Sequence, residues 1–277
     1  MTRVRLAVVF LVCAVLSACG GGSPTRPSTV NVSPPVTTTP PPTTVDGNTT
    51  PPPSGNVPTP TPRPVLGLTS FVAFGDSMTQ GQSAVNRTMA LVDIRSYPSY
   101  LLQLLTERYT GQSIVVANEG RGGEWAQDGQ FRLPVTLDRL QPAPEALLLL
   151  QGVNDLNALG ASGMSRTEAA IESMARAARQ RRLRVFMATL PPQRPGGVRA
   201  GSAELIPEFN HRIRAIATGE GAVLVDLEVI FGKNYDLLSE DGLHPSAEGY
   251  RVIATAFFDA IRKDLERVAT PTALTVH

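Results

Sequence analysis

Short apolar runs alternate with longer stretches of helical spacing between residues 66 and 268. Residues 70–74, 113–117, 146–150, 184–188 and 222–225 are such runs, rich in Val, Leu, Ile, Phe and Ala. Runs of that length without polar alternation suit strands buried on both faces, as in a parallel sheet. Helical patterns fill the gaps over residues 97–109, 165–182 and 202–219. Ser165 and Glu168 match a capping box, whose hydroxyl and carboxylate satisfy opposing amides at a helix start. Ser202 suits the cap of the next helix, and a last helix follows Pro245 and Ser246 and runs to about residue 268. Strands alternating with helices predict a parallel sheet covered on both faces. Right-handed crossovers then gather the loops at the strand carboxyl ends on one edge, where ligands bind in open α/β sheets.

The pattern breaks before residue 66. Arg3 and Arg5 precede an apolar run over residues 6–16, too short to span a bilayer core of roughly 30 Å and read as the core of a secretory signal, residues 1–18. Leu16-Ser17-Ala18-Cys19 resembles the lipobox of bacterial lipoproteins. That resemblance implies export, acylation of Cys19 and attachment to a membrane of the cell envelope. Gly20, where an aspartate retains many lipoproteins at an inner membrane, implies the outer membrane if the source has one. Residues 19–65 are expected to form a tether. Fourteen of the chain's 24 prolines and eleven threonines fall between residues 23 and 65, with no aromatic residue. Such a segment buries too little apolar surface to offset its ordering entropy. Residues 269–277 read as a flexible tail, which leaves 66–268 as one folded domain.

Composition narrows the function classes. A formal net charge of +1 and an aromatic content of 5% argue against a nucleic-acid partner. The two cysteines, Cys13 and Cys19, lie in the N-terminal segment, so the folded part has neither a disulfide nor a thiolate metal site. Of the three histidines, His211 sits in a helical pattern, His277 is the last residue, and only His244 lies in a loop at the functional edge. A metal centre is therefore not expected. Gly120-Arg121-Gly122-Gly123 follows a strand but lacks the spacing of a dinucleotide fingerprint, and no Walker sequence occurs. No cofactor is expected.

Polar clusters end the apolar runs: Phe74-Gly75-Asp76-Ser77, Asn118 to Gly123, and Gln151-Gly152-Val153-Asn154-Asp155, with Asp241-Gly242-Leu243-His244-Pro245 before the last helix. A serine hydroxyl is a poor nucleophile until a base accepts its proton, and histidine is the usual base near neutral pH. Asp241, three residues before His244, is spaced to face one imidazole nitrogen while the other faces a serine. Backbone amides in a glycine-rich turn and a carboxamide such as Asn154 can stabilise a developing oxyanion. Asp76 and Asp155 read as loop-bracing carboxylates. Trp125 suits either a pocket wall or the core, Arg121 reads as a solvated arginine, and residues 82–96 as a surface loop that can cover the pocket.

Gly75-Asp76-Ser77-Met78, Gly123, Gly152-Val153-Asn154-Asp155 and Asp241-Gly242-Leu243-His244 resemble, in order, the four sequence blocks of the SGNH (GDSL-type) hydrolases. The resemblance spans residues 72–258. It implies a flavodoxin-like three-layer α/β/α sandwich around a five-stranded parallel sheet. It implies Ser77 as nucleophile and backbone oxyanion donor, His244 as general base and Asp241 as its orienting partner. Gly123 and Asn154 then complete the oxyanion hole, Gly123 being chosen over Gly122 because it stands five residues after Asn118. Met78 replaces the leucine of the family name, and Glu124 stands where many relatives have aspartate. The implied activity is hydrolysis of a small-molecule or polysaccharide ester through an acyl-enzyme: an O-acetylated carbohydrate, a short acyl ester or a lysophospholipid. The alternative is a catalytically silent SGNH-like module that binds glycans on the cell surface.

Overall fold

The computed structural model describes residues 62–85, 88–91 and 96–269. The signal segment, Cys13, Cys19, residues 19–61 of the expected tether, and residues 270–277 with His277 lie outside the described residues. The chain enters the fold through β1 (Pro64–Leu66), followed by β2 (Ser70–Gly75), α1 (Ser77–Gln80), β3 (Gln82–Val85), β4 (Thr88–Leu91), α2 (Tyr97–Arg108) and β5 (Val115–Gly120). Then come α3 (Ala126–Arg139), β6 (Ala146–Leu150), α4 (Val153–Leu159), α5 (Met164–Gln180), β7 (Arg184–Ala188), α6 (Ile206–Gly219), β8 (Val223–Val225), α7 (Leu227–Phe231), α8 (Ala247–Leu265) and β9 (Glu266–Val268).

Five strands make one parallel sheet in the order β5-β2-β6-β7-β8. This is the flavodoxin-like order, in which the chain reverses its direction of growth between β5 and β6 beside β2. The two strands nearest that reversal are the most apolar: every residue of β2 and of β6 is buried. Helices cover both faces, α2 packing on α8 and α3 on α5, with α6 beside α5. Tyr97 and Phe257 stack at 5.1 Å between ring centroids and join α2 to α8 inside the core. Among the described residues no helix is long and apolar enough to cross a membrane.

All five expected strands are present, β6 and β7 with the expected ends and β2, β5 and β8 with shifted ones. β5 starts two residues later than its apolar run and continues through Asn118 to Gly120, because this edge strand keeps pairing with Ala73 to Gly75 of β2. The capping box does not form. A 3₁₀ turn over Gly160–Gly163 runs directly into α5, so Ser165 is already helical, and Glu168 instead pairs with Arg212 at 3.1 Å. Ser202 stands at the cap position of a 3₁₀ turn, but its hydroxyl donates to Asn157 Oδ1 at 2.8 Å. Ser246 does cap α8, accepting from the Gly249 amide at 3.2 Å.

Residues 82–91, expected as loop, contain the antiparallel β3–β4 hairpin, while 86–87 and 92–95 lie outside the described residues. Ser83 Oγ donates to the Pro245 carbonyl at 3.1 Å, and the Ala84 amide to Ser239 Oγ at 3.3 Å. The hairpin is thereby fastened to the segment that carries His244. α8 ends at Leu265, and β9 returns to pair antiparallel with β1, Pro64 opposite Val268 and Leu66 opposite Glu266. Gln112 bridges this clasp to the domain, its side chain exchanging hydrogen bonds with the Leu66 amide and carbonyl at 2.8 and 3.0 Å.

Candidate active site

The polar clusters at the ends of β2, β5 and β6 and before α8 meet at one cavity of about 320 Å³, lined by Ser77, Gln82, Gly123, Asn154, Asn157, Val198, Arg199, Gly201, Leu243 and His244. Ser77 follows β2 directly as the first residue of α1. Asp76 caps that turn, its Oδ1 accepting from the Met78 amide at 2.9 Å. Gly75 makes the turn possible: a Cβ there would lie 2.1 Å from the Leu150 carbonyl oxygen and 2.3 Å from Thr79 Oγ1.

His244 Nε2 lies 2.8 Å from Ser77 Oγ, and its Nδ1 lies 2.6 Å from Asp241 Oδ2. The other carboxylate oxygen, Oδ1, accepts from Ser239 Oγ and from the Leu243 and His244 amides, each at 3.0 Å. Burial pushes the Asp241 carboxyl up, but His244 and those two amides outweigh it and hold the group well below the usual carboxylate range. Asp241 therefore stays ionised, fixes the imidazole with its Nδ1 proton inward, and leaves Nε2 free to take a proton from Ser77.

Gly123, at φ +74°, lines the cavity, with nothing within 4 Å of where its Cβ would be. Gly122 is differently engaged, since its amide donates to Gln80 Oε1 at 2.8 Å. Among the described residues the Gly123 amide has no protein acceptor. The Ser77 amide sits in the first turn of α1, where no intrahelical acceptor exists. Asn154 lines the same cavity, and its Nδ2 donates one N–H to the Glu124 carbonyl at 3.0 Å, leaving the second as a donor. These donors can meet an oxygen that gains charge on a carbonyl attacked by Ser77.

The sequence singled out Glu124 only as a departure, yet it organises this side. Its buried carboxylate takes two bonds from Arg132, at 2.5 and 2.6 Å, and its carbonyl holds Asn154. Arg132 also lies over the Phe74 ring at 3.9 Å. Ser239 and Arg199 gave no sequence signal; Asn157 was detectable, standing one helical turn after Asn154 on α4. Trp125 is half-buried and is not among the residues lining the cavity. Arg121 is exposed, with a loose ion pair to Glu124 at 3.8 Å, and His211 is exposed on α6. A second cavity of about 660 Å³, touching Gln193, Glu204, Pro207, Lys233 and Tyr235, shares Gly201 with the first but contains no hydroxyl–histidine pair. Among the described residues no cluster suited to a metal ion occurs.

Asp76 and Asp155 brace the loops, Asp155 Oδ2 accepting from the Ala126 amide at 2.8 Å. Both are fully buried, and among the described residues Asp76 Oδ2 and Asp155 Oδ1 have no hydrogen-bond partner. Burial, opposed by the Met78 amide and aided by the charges of Asp155 and Glu124, pushes the Asp76 carboxyl up from 3.8 to about 7. A carboxyl that binds its proton more tightly folded than unfolded favours folding at low pH, and that contribution is lost as pH rises through its folded value. For Asp76 the window runs from about pH 4 to about pH 7. Asp76→Asn, which keeps the acceptor for Met78 and cannot ionise, is expected to raise Tm relative to the parent more at pH 8 than at pH 5. Thermal melts at both values check this; an equal shift would mean that Asp76 is ionised throughout.

The fold and the site together are those of a carboxylic ester hydrolase. The chain belongs to the GDSL-like Lipase/Acylhydrolase family, whose sequence model matches residues 73–252, more than half of the chain. No curated protein matches the sequence at a significant level. Similar solved structures include Est24, a carbohydrate acetylesterase from Sinorhizobium meliloti, at 18% identity and TM-score 0.59, covering 70% of this chain and 99% of that one. The M. smegmatis aryl esterase aligns at 18% identity and TM-score 0.60, over 70% of this chain and 99% of its own. Axe2, an acetylxylan esterase from Geobacillus stearothermophilus, aligns at 20% identity and TM-score 0.55, over 71% of this chain and 94% of its own. At these identities the likeness is one of fold.

Proposed function

We propose that the chain is a serine esterase that hydrolyses a small carboxylic ester through an acyl-enzyme, and the unbroken Ser77–His244–Asp241 hydrogen-bond chain carries this reading. Ser77 Oγ attacks the ester carbonyl while His244 Nε2 takes its proton. The carbonyl electrons move to the oxygen, which the Ser77 and Gly123 amides and Asn154 Nδ2 receive. Collapse of the tetrahedral adduct expels the alcohol, which takes the proton from His244. Water then repeats the sequence on the acyl-enzyme, releasing the acid and restoring Ser77. No metal or cofactor enters this scheme.

The substrate class we favour is an acetyl or other short acyl ester of a polar alcohol such as a carbohydrate. A cavity of about 320 Å³ near the nucleophile is small for a long acyl chain, and Gln82, Asn154, Asn157 and Arg199 give it a polar lining. Two of the similar structures are described as acting on acetylated carbohydrates. We also propose, on the sequence grounds alone, that residues 1–18 direct export and that Cys19 carries the lipid anchor. Loss of fatty-acid labelling in Cys19→Ala checks that assignment, and unchanged labelling would refute it.

The reading is tested with p-nitrophenyl acetate, butyrate and octanoate, alongside a fluorophosphonate probe. Acetate is expected to be the best substrate, and Ser77→Ala is expected to abolish both turnover and labelling. A folded parent protein that neither turns over these esters nor reacts with the probe would sink the serine-esterase assignment and leave the glycan-binding module.

A further inference from the structure

We propose that Arg199 forms an anion-binding subsite beside the catalytic pair, so that the alcohol portion of the substrate carries a carboxylate. The proposal rests on the esterase reading above and specifies its substrate.

Arg199 lines the same cavity as Ser77 and His244. The guanidinium fork is available. Among the described residues its one ion pair is with Asp241 Oδ2, 3.8 Å from Nε, and the fork donates no hydrogen bond. At that distance the pair makes no hydrogen bond, and Asp241 is already engaged by His244 Nδ1 at Oδ2 and by three donors at Oδ1. Arg184 and Arg214 differ, since each spends its fork on a carboxylate, Asp264 and Asp226 respectively, at 2.7 to 2.9 Å. A planar fork that donates no hydrogen bond among the described residues, at a cavity wall, matches a carboxylate in a two-point arrangement.

The backbone that presents Arg199 is fixed although the side chain is 53% exposed. Its amide donates to the Asp241 carbonyl at 3.0 Å, and its carbonyl accepts from Asn157 Nδ2 at 3.2 Å. Arg194 donates its amide to the Gly242 carbonyl at 2.8 Å. Gly197 and Gly242 touch so closely that a Cβ on Gly197 would lie 2.7 Å from the Asp241 carbonyl oxygen. The arginine is thus delivered by a loop clamped onto the catalytic loop. Gln82, Asn154 and Asn157 in the lining are neutral, and among the described residues lining the cavity Arg199 is the one with a full charge; the Asp241 carboxylate lies behind His244, engaged by its ring.

The position of Arg199 also says which part of the ester bears the charge. The oxyanion donors Gly123 and Asn154 come from the loop after β5 and the first turn of α4, whereas Arg199 sits against the Asp241–His244 loop. His244 hands its proton to the leaving alcohol, so the group lying along that side is the alcohol.

The test compares two acetates of identical acyl group, 4-acetoxybenzoate and its neutral methyl ester, in the parent protein, Arg199→Gln and Arg199→Lys. The readout is the ratio of their kcat/KM values, in which any common effect through Asp241 cancels. The parent is expected to prefer the anion by about tenfold or more, chiefly through KM. Arg199→Gln is expected to remove the preference and Arg199→Lys to restore part of it, and the parent's preference should shrink as salt rises. A ratio within twofold in the parent, or a ratio unchanged in Arg199→Gln, overturns the proposal while leaving the esterase reading intact. Failure of the parent to hydrolyse the neutral ester, with no fluorophosphonate labelling, removes the esterase reading and this inference with it.

Discussion

Asp241→Asn is expected to lower kcat on an aryl acetate by about 10⁴-fold while leaving the fold in place. The asparagine can keep Oδ1 where it accepts from Ser239 and from the Leu243 and His244 amides, the bonds that shape the loop. It then places an N–H₂ where Oδ2 now stands, 2.6 Å from His244 Nδ1. That group donates, so Nδ1 must become the acceptor and the ring proton moves to Nε2. An imidazole protonated at Nε2 cannot accept the Ser77 proton across the 2.8 Å contact. Steady-state kinetics beside a thermal melt separates this from unfolding. A loss of less than tenfold in a protein of parental Tm would show that Asp241 does not set the tautomer.

The second large effect is expected on stability. In Gly75→Ala the new methyl would fall 2.1 Å from the Leu150 carbonyl oxygen on the neighbouring strand and 2.3 Å from Thr79 Oγ1 on α1. The first of these is backbone at the end of the central strand, so no side-chain rotation relieves it. Either β2 separates from β6 at its end or α1 lifts away, and α1 carries Ser77. Overpacking against fixed backbone costs about 3 kcal/mol, and for a domain of this size Tm falls by roughly 6–12 °C. Activity should fall further than stability alone requires, since the nucleophile moves with the helix. Differential scanning calorimetry reads the effect, and a Tm within about 2 °C of the parent would mean that the end of β2 relaxes without cost.

The sheet was legible because its strands are continuous apolar runs with no competing period; β6 is Ala-Leu-Leu-Leu-Leu and wholly buried. β5 was misplaced because Asn118, Glu119 and Gly120 look like loop, and only their pairing with β2 keeps them extended. Ser77, Asp241 and His244 were legible because each lies in a polar cluster at a strand end or before a helix, where apolar packing does not require it. Their supports were not. Glu124 needs Arg132 from α3 to hold a buried charge, and Ser239 matters only because the chain turns back through Gly242 beneath the histidine. Residues 82–91 show the same limit, their hairpin being fastened by bonds to Ser239 and Pro245, more than 150 residues away.

The pairing of β1 with β9 has a mechanical consequence. Pro64 and Val268 are register partners at the outer end of this two-stranded ladder, and Leu66 and Glu266 form the inner end. Tension applied through residues 64 and 268 therefore loads one rung at a time, in an unzipping rather than a shearing direction. The ladder should peel at low force until the load reaches the Gln112 bonds to Leu66 and the Arg108 and Tyr109 bonds to Glu266. The clasp thus acts as a weak link in series with the sheet, giving way first and sparing the strand ends that hold Ser77 and Gly123.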